Sequence, residues 1–158
     1  MLSLTIRAIG KLPEDWMRQG VDMYVDRLKP LAKIGLIELP EGHKGASKPD
    51  VNKTKKTEGE SLLKGLPPDA LVVALDETGR SLSTQEFTAK LDEWSPDGSR
   101  ALFFLIGGSW GLDKDVLKRA DAVISLGKMT LPHGLARLVL LEQLYRANMI
   151  KAGRTYHK

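Results

Sequence analysis

A chain of 158 residues, 42% apolar and 28% charged, suits one domain with its own core and is too apolar for disorder. Without a cysteine it has no disulfide, no thiolate nucleophile and no cysteine zinc site, a composition that suits a reducing compartment. The net charge is only +4, and the longest apolar runs, Ala70–Leu75 and Ala101–Ile106, fall far short of the ~20 residues a membrane helix needs.

The chain opens on a strand, Leu2–Ile9, in which Leu2, Leu4 and Ile6 alternate with Ser3, Thr5 and Arg7. This is not the pattern of a signal peptide, so a soluble cytoplasmic protein is expected. Pro13, Glu14 and Asp15 read as the first turn of a helix, with acids at its positive end. Trp16, Met17, Gly20, Val21, Tyr24, Val25 and Leu28 then form one apolar stripe. Lys33–Leu39 predicts a second strand, 40–49 a loop, and Asp50–Lys64 a weak helix with Gly59 inside it. Six lysines lie between Lys44 and Lys64 against Asp50, Glu58 and Glu60, and i,i+4 pairing on a solvated face explains much of that run.

Ala70–Leu75 is apolar throughout, as a strand buried on both faces would be. Ser83 and Glu86 make a capping box ahead of Phe87, Leu91 and Trp94. Ala101–Ile106 predicts another buried strand and Ala122–Leu126 a third. The last helix, Gly134–Lys151, is apolar on more than one side, which suggests burial between layers or against a second subunit. Strands alternating with helices imply an α/β fold with a mainly parallel sheet, whose ligands sit at the carboxyl ends of the strands.

Three of those ends attract attention. One is Leu75-Asp76, the next is Gly107-Gly108-Ser109-Trp110-Gly111, and the third runs from Gly127 through Lys128, Met129, Thr130 and Leu131 to Pro132 and His133. Glycine lets backbone come close to a ligand, and a proline-ended loop could read an adenine edge with Met129 and Leu131 on its ring. Neither loop is a dinucleotide or nucleotide-phosphate fingerprint. The first satisfies G-x-S-x-G, so Ser109 is a candidate hydrolase nucleophile, with Asp113 or Asp121 and then His133 or His157 following in order. His43, His133 and His157 share no metal-ligand spacing, and no metal is expected.

The four basic residues after Leu141 (Arg146, Lys151, Arg154 and Lys158) equal the whole net charge, because residues 1–142 are neutral. Basic groups beside Tyr156 and His157 suit an RNA or phosphate surface, and a non-catalytic RNA- or ribosome-binding module is therefore a second alternative.

Taken together, Leu75-Asp76, I-G-G-S-W-G (106–111), L-G-K-M-T-L-P-H (126–133), Arg137, L-Y-R-A (144–147) and the final Tyr156-His157 resemble one family over the full chain. That is the ribosomal RNA large subunit methyltransferase H family, a minimal branch of the SPOUT methyltransferases. The resemblance implies a single SPOUT-like domain over residues 1–158 with a C-terminal trefoil knot, a topology that ordinary folding rules exclude. It further implies a homodimer that uses S-adenosylmethionine to methylate N3 of a pseudouridine in large-subunit rRNA on the assembled ribosome. Carried over by motif, the cofactor contacts are Leu75, Gly108, Gly127, Lys128, Met129, Thr130, Leu131 and Pro132. The expected RNA contacts are Arg137, Arg146 and Arg154. Tyr156 and His157 are the first candidates for chemistry, since a tail could close over substrate and, in a dimer, reach the partner's cofactor.

Overall fold

The computed structural model describes residues 1–43, 45 and 47–156. Its five strands are β1 (Leu2–Ile9), β2 (Ala32–Leu39), β3 (Leu71–Ser81), β4 (Leu102–Ile106) and β5 (Ala122–Ser125). They form one sheet in the order β2-β1-β4-β3-β5, with every pair parallel. The helices are α1 (Asp15–Leu28), α2 (Val51–Leu63), α3 (Thr84–Trp94), α4 (Lys114–Arg119) and α5 (His133–Lys151). This is the α/β architecture that the strand-helix alternation implies.

The alternation in β1 decides the layers. Leu2, Leu4 and Ile6 face a core shared with Met17 and Val21 of α1, Phe87 and Leu91 of α3, and Leu140, Leu141 and Leu144 of α5. On the opposite face Val72, Ala74, Phe103 and Leu105 pack under Leu62 of α2 and Val116 of α4. The sheet is therefore covered on both sides, as all-parallel sheets must be.

Polar anchors fix the helix ends. Ser83 and Glu86 form the expected capping box, and Asp113 accepts the Asp115 N–H at 3.1 Å at the start of α4. Asp50 accepts the Lys53 N–H at 3.0 Å, and at the other end of α2 the Arg7 guanidinium donates to the carbonyls of Leu62 and Lys64. Arg7 also lies over the Phe103 ring, 5.3 Å from its centroid. These anchors explain how a segment with few apolar positions and an internal glycine stays helical.

Four expectations need correction. Pro13 precedes α1 rather than sitting in its first turn, because Glu14 is the N-cap. The i,i+4 pairs expected among the lysines do not form: among the described residues no ion pair involves Lys53, Lys55 or Lys56. Strand β5 stops at Ser125 and is only half-buried, since it is an edge strand. Strand β3 does not end at Leu75 but runs on to Ser81. It pairs with β5 up to Leu75 and again from Arg80, with 76–79 bulging between the two ladders. Asp76 shapes the bulge by accepting the N–H and the hydroxyl of Thr78. Gly79 closes it: a Cβ there would lie 2.5 Å from the Ile124 carbonyl carbon, so no other residue fits.

Candidate active site

The carboxyl ends of β3, β4 and β5 meet around a cleft of about 840 Å³. Its walls come from Leu75–Glu77, from Ile106–Leu112 and from the segment between Ser125 and Pro132, with His133 and Ala136 of α5 and Lys55 of α2 at the sides. Leu75, Gly108, Gly127, Met129, Thr130, Leu131 and Pro132 all line it, as the motifs imply. Lys128 does not, because its position in the turn leaves it exposed outside the lining. Met129 is 87% exposed and stands at the mouth rather than in a packed wall.

The loop after β4 is a tight hairpin. Gly108 and Gly111 form an isolated bridge, and the Gly111 N–H reaches the Gly108 carbonyl at 3.1 Å. The reason Gly108 must be glycine differs from the expected one. A Cβ there would lie 3.0 Å from each carboxylate oxygen of Glu58 and 3.1 Å from Ile9 Cγ2. The space that a side chain would take is filled from behind by an acid. Glu58 is only 2% exposed, and the sequence concealed it among surface lysines. Its one signal was spacing: it lies four residues from both Thr54 and Leu62, on the buried face of α2.

Ser109 is exposed on this hairpin, and α4 begins only at Lys114. Among the described residues no hydrogen bond joins Ser109 to a histidine or an acid, and the Asp113 carboxylate is used as a helix cap. A nucleophile elbow needs the serine at a direct strand-to-helix turn with a base in reach. That arrangement is absent among the described residues.

In the second loop the Ser125 hydroxyl donates to the Gly127 carbonyl at 2.8 Å and accepts the Gly127 N–H at 3.2 Å, which sets the turn. Pro132 is the N-cap of α5, and its carbonyl accepts the Ala136 N–H at 3.0 Å. His133 follows at the cleft wall with its Nδ1 buried and, among the described residues, without a partner. Burial, and then the charge of Arg137, hold its pKa below the ordinary histidine value and favour the neutral imidazole.

The basic candidates divide sharply. Arg137 was expected to meet RNA, and the structure corrects this. Its side chain is 0% exposed, donating to Glu38 at 2.5 Å and to the Gly10 carbonyl at 2.9 Å. It ties α5 to the ends of β1 and β2, where no phosphate reaches it. Arg146 is held by Glu142 at 2.6 Å and donates to the Tyr156 carbonyl at 2.8 Å, with its guanidinium over the Tyr156 ring. It fastens the tail. Arg154 is exposed. Tyr156 also packs edge-on against Tyr145, 4.9 Å between centroids. Tyr156 therefore folds back beside the second half of α5, whereas the cleft adjoins the amino end of that helix. Tyr145 lies about 18 Å along α5 from His133, and Tyr156 is not among the residues that line the cleft. His157 lies outside the described residues.

A sequence model described as "Predicted SPOUT methyltransferase" matches residues 2–157. The chain belongs to the SPOUT methyltransferases. Within that family it is similar to proteins named Ribosomal RNA large subunit methyltransferase H. The Carboxydothermus hydrogenoformans protein is 42% identical over 99% of this chain and 100% of its own length, and that of Lysinibacillus sphaericus 43% over the same shares. In structure the SPOUT chain resembles a probable methylase family protein from Haemophilus influenzae Rd KW20. The TM-score is 0.55 at 13% identity, covering 100% of this chain and 72% of the other, a likeness of fold alone. The resemblance read from the motifs is thus established at family level.

Proposed function

We propose that this SPOUT methyltransferase transfers a methyl group from S-adenosylmethionine to N3 of a pseudouridine in large-subunit ribosomal RNA, acting in the cytoplasm as a homodimer on the assembled ribosome. The observation that carries the reading is the convergence of three motif segments, at Leu75, Gly108 and Gly127–Pro132, on one cleft at the strand ends. The names of the relatives support rRNA as the acceptor.

The cleft fits a nucleoside-type donor. Its volume lies in the usual range for small-molecule sites, and it combines apolar walls (Leu75, Ile106, Leu131) with turn backbone. When bound, the donor supplies an electrophilic methyl carbon on a sulfonium. The chain supplies alignment, for which the hairpin, the bulge and the proline-capped loop are rigid, hydrogen-bonded scaffolds. Removing the N3 proton requires a base or a stabiliser of the developing anion. His133 lines the cleft wall and is a candidate within one chain. Tyr156 and His157 remain candidates through the dimer, a reading supported by the absence of Tyr156 from the lining of its own chain's cleft. Arg154, and Arg146 where the Glu142 pair opens, would meet phosphate. The trefoil knot belongs to this reading as the family's way of bringing the Ser125–Pro132 segment against the glycine hairpin.

Among the described residues the hydrolase alternative lacks a paired nucleophile, and a purely RNA-binding role leaves the cleft without a purpose. Mass mapping of rRNA methylation in cells with and without the protein tests the proposal. Loss of one N3-methylated pseudouridine from the large subunit is the expected result, and an unchanged map would overturn it.

A further inference from the structure

The buried acid behind the glycine hairpin is not used by the scheme above. Glu58 accepts the Gly42 N–H at 3.1 Å through Oε2, while Oε1 has no hydrogen-bond partner among the described residues. Nor does Glu58 enter any ion pair there. A buried carboxylate oxygen left unsatisfied is costly, and such a group calls for an explanation. The carboxylate is also held in place. Helix α2 is anchored at both ends by Asp50 and Arg7, and Gly59 lies so close to α4 that a Cβ would meet Asp113 Cβ at 3.0 Å. The titratable groups that face Glu58 are Glu41 and His43 from the segment after β2; Asp113 packs against the adjacent Gly59, and Lys55, one turn back on the same helix, lines the cleft. Gly108 lines the cleft, and a Cβ on it would lie 3.0 Å from both Glu58 oxygens, so the carboxylate sits directly behind this part of the wall.

We propose that Glu58 is a specificity-determining residue, whose negative charge behind Gly108 favours the cationic methyl donor over its neutral demethylated product. The inference rests on the proposed use of S-adenosylmethionine. Donor and product differ by one positive charge at sulfur and by one methyl group. A buried carboxylate behind the Gly108 wall acts on that difference, because charge interactions are stronger where water is excluded. Such a bias fills the cleft with donor and aids release of product after transfer.

The test is calorimetric titration of the full-length protein at pH 8 with S-adenosylmethionine and with S-adenosylhomocysteine. Glu58→Gln, close in shape but uncharged, should lose about five- to tenfold more affinity for the donor than for the product. Glu58→Asp, which shortens the side chain but keeps the charge, should hold the wild-type ratio within about twofold. Parallel losses for both ligands in Glu58→Gln would overturn the inference, since that is what a merely structural residue gives, and so would an unchanged ratio. Wild-type protein that binds neither ligand would instead refute the proposed function, and this inference with it.

Discussion

Among the described residues, twenty-two buried apolar side chains form one cluster on the face of the sheet covered by α1, α3 and α5, and nine form another on the face covered by α2 and α4. The smaller face also carries the buried Glu58, the Arg7 clamp and the back of the glycine hairpin. The larger face carries the stability of the fold through burial of apolar surface. The smaller one gives up some of that burial to hold charged groups against the cleft.

Neighbouring phenylalanines on β4 put this division to its hardest test. Phe104 faces the larger cluster and Phe103 the smaller. Phe104→Ala should cost about 3–5 kcal/mol in urea unfolding, and Phe103→Ala distinctly less, because Phe103 lies at the edge of burial and Arg7 can settle over the gap. Equal losses would break the comparison.

Arg137 ties the first turns of α5, on the larger face, to the ends of β1 and β2. Arg137→Ala should cost about 3 kcal/mol, at the low end for a broken buried pair because Glu38 is 40% exposed and can rehydrate. It should also weaken donor binding, since Pro132 and His133 lose the anchor of their helix. A stability loss with unchanged donor affinity would confine Arg137 to the fold. Gly108→Ala belongs to the smaller face and should cost about 1–2 kcal/mol, by pressing a methyl group on Glu58. Calorimetry should meanwhile show donor affinity reduced at least about tenfold. Wild-type affinity would remove Gly108 from the site.

The titratable groups give the smallest effects, and in opposite directions. The His133 pKa is depressed in the fold by burial and by Arg137, so the unfolded chain binds the proton more readily. Stability should therefore fall as pH drops from about 6.5 towards the lowered folded value, and His133→Gln should flatten that slope. The Glu58 carboxyl is raised, chiefly by burial, so its ionisation opposes folding as pH rises above the ordinary carboxylate value of about 4.3. Glu58→Gln should melt no lower than wild type at pH 8, and should lose any advantage near pH 4. A variant clearly less stable at pH 8 would show that the charge supports the fold.

The larger face was easier to read from sequence than the smaller. Alternation in Leu2–Ile9, the stripe from Met17 to Leu28 and the Ser83–Glu86 box are local patterns with a fixed periodicity, and each predicts its element. The cleft walls were legible because Gly107–Gly111 and Leu126–His133 are contiguous motifs. Glu58 and Arg137 were not legible in their roles. What buries them is packing between distant segments, Glu58 with Gly42 and Gly108 and Arg137 with Gly10 and Glu38, and no window of sequence contains both partners. The continuation of β3 past Leu75 escaped for a similar reason, since Asp76-Glu77-Thr78-Gly79 has the composition of a turn and becomes a bulge only because β5 lies beside it.

The central claim, that the donor occupies the cleft at the strand ends, is tested most directly by amide chemical-shift mapping of the free protein titrated with S-adenosylmethionine. A second cavity of about 380 Å³ lies across the Ser125–Gly127 wall, bordered by Thr84, Phe87 and Gln143. The account predicts the largest shifts at Leu75, Gly107–Gly111 and Thr130–Leu131, with Thr84, Phe87 and Gln143 nearly still. Shifts centred on Thr84, Phe87 and Gln143, or none at saturating donor, would contradict it.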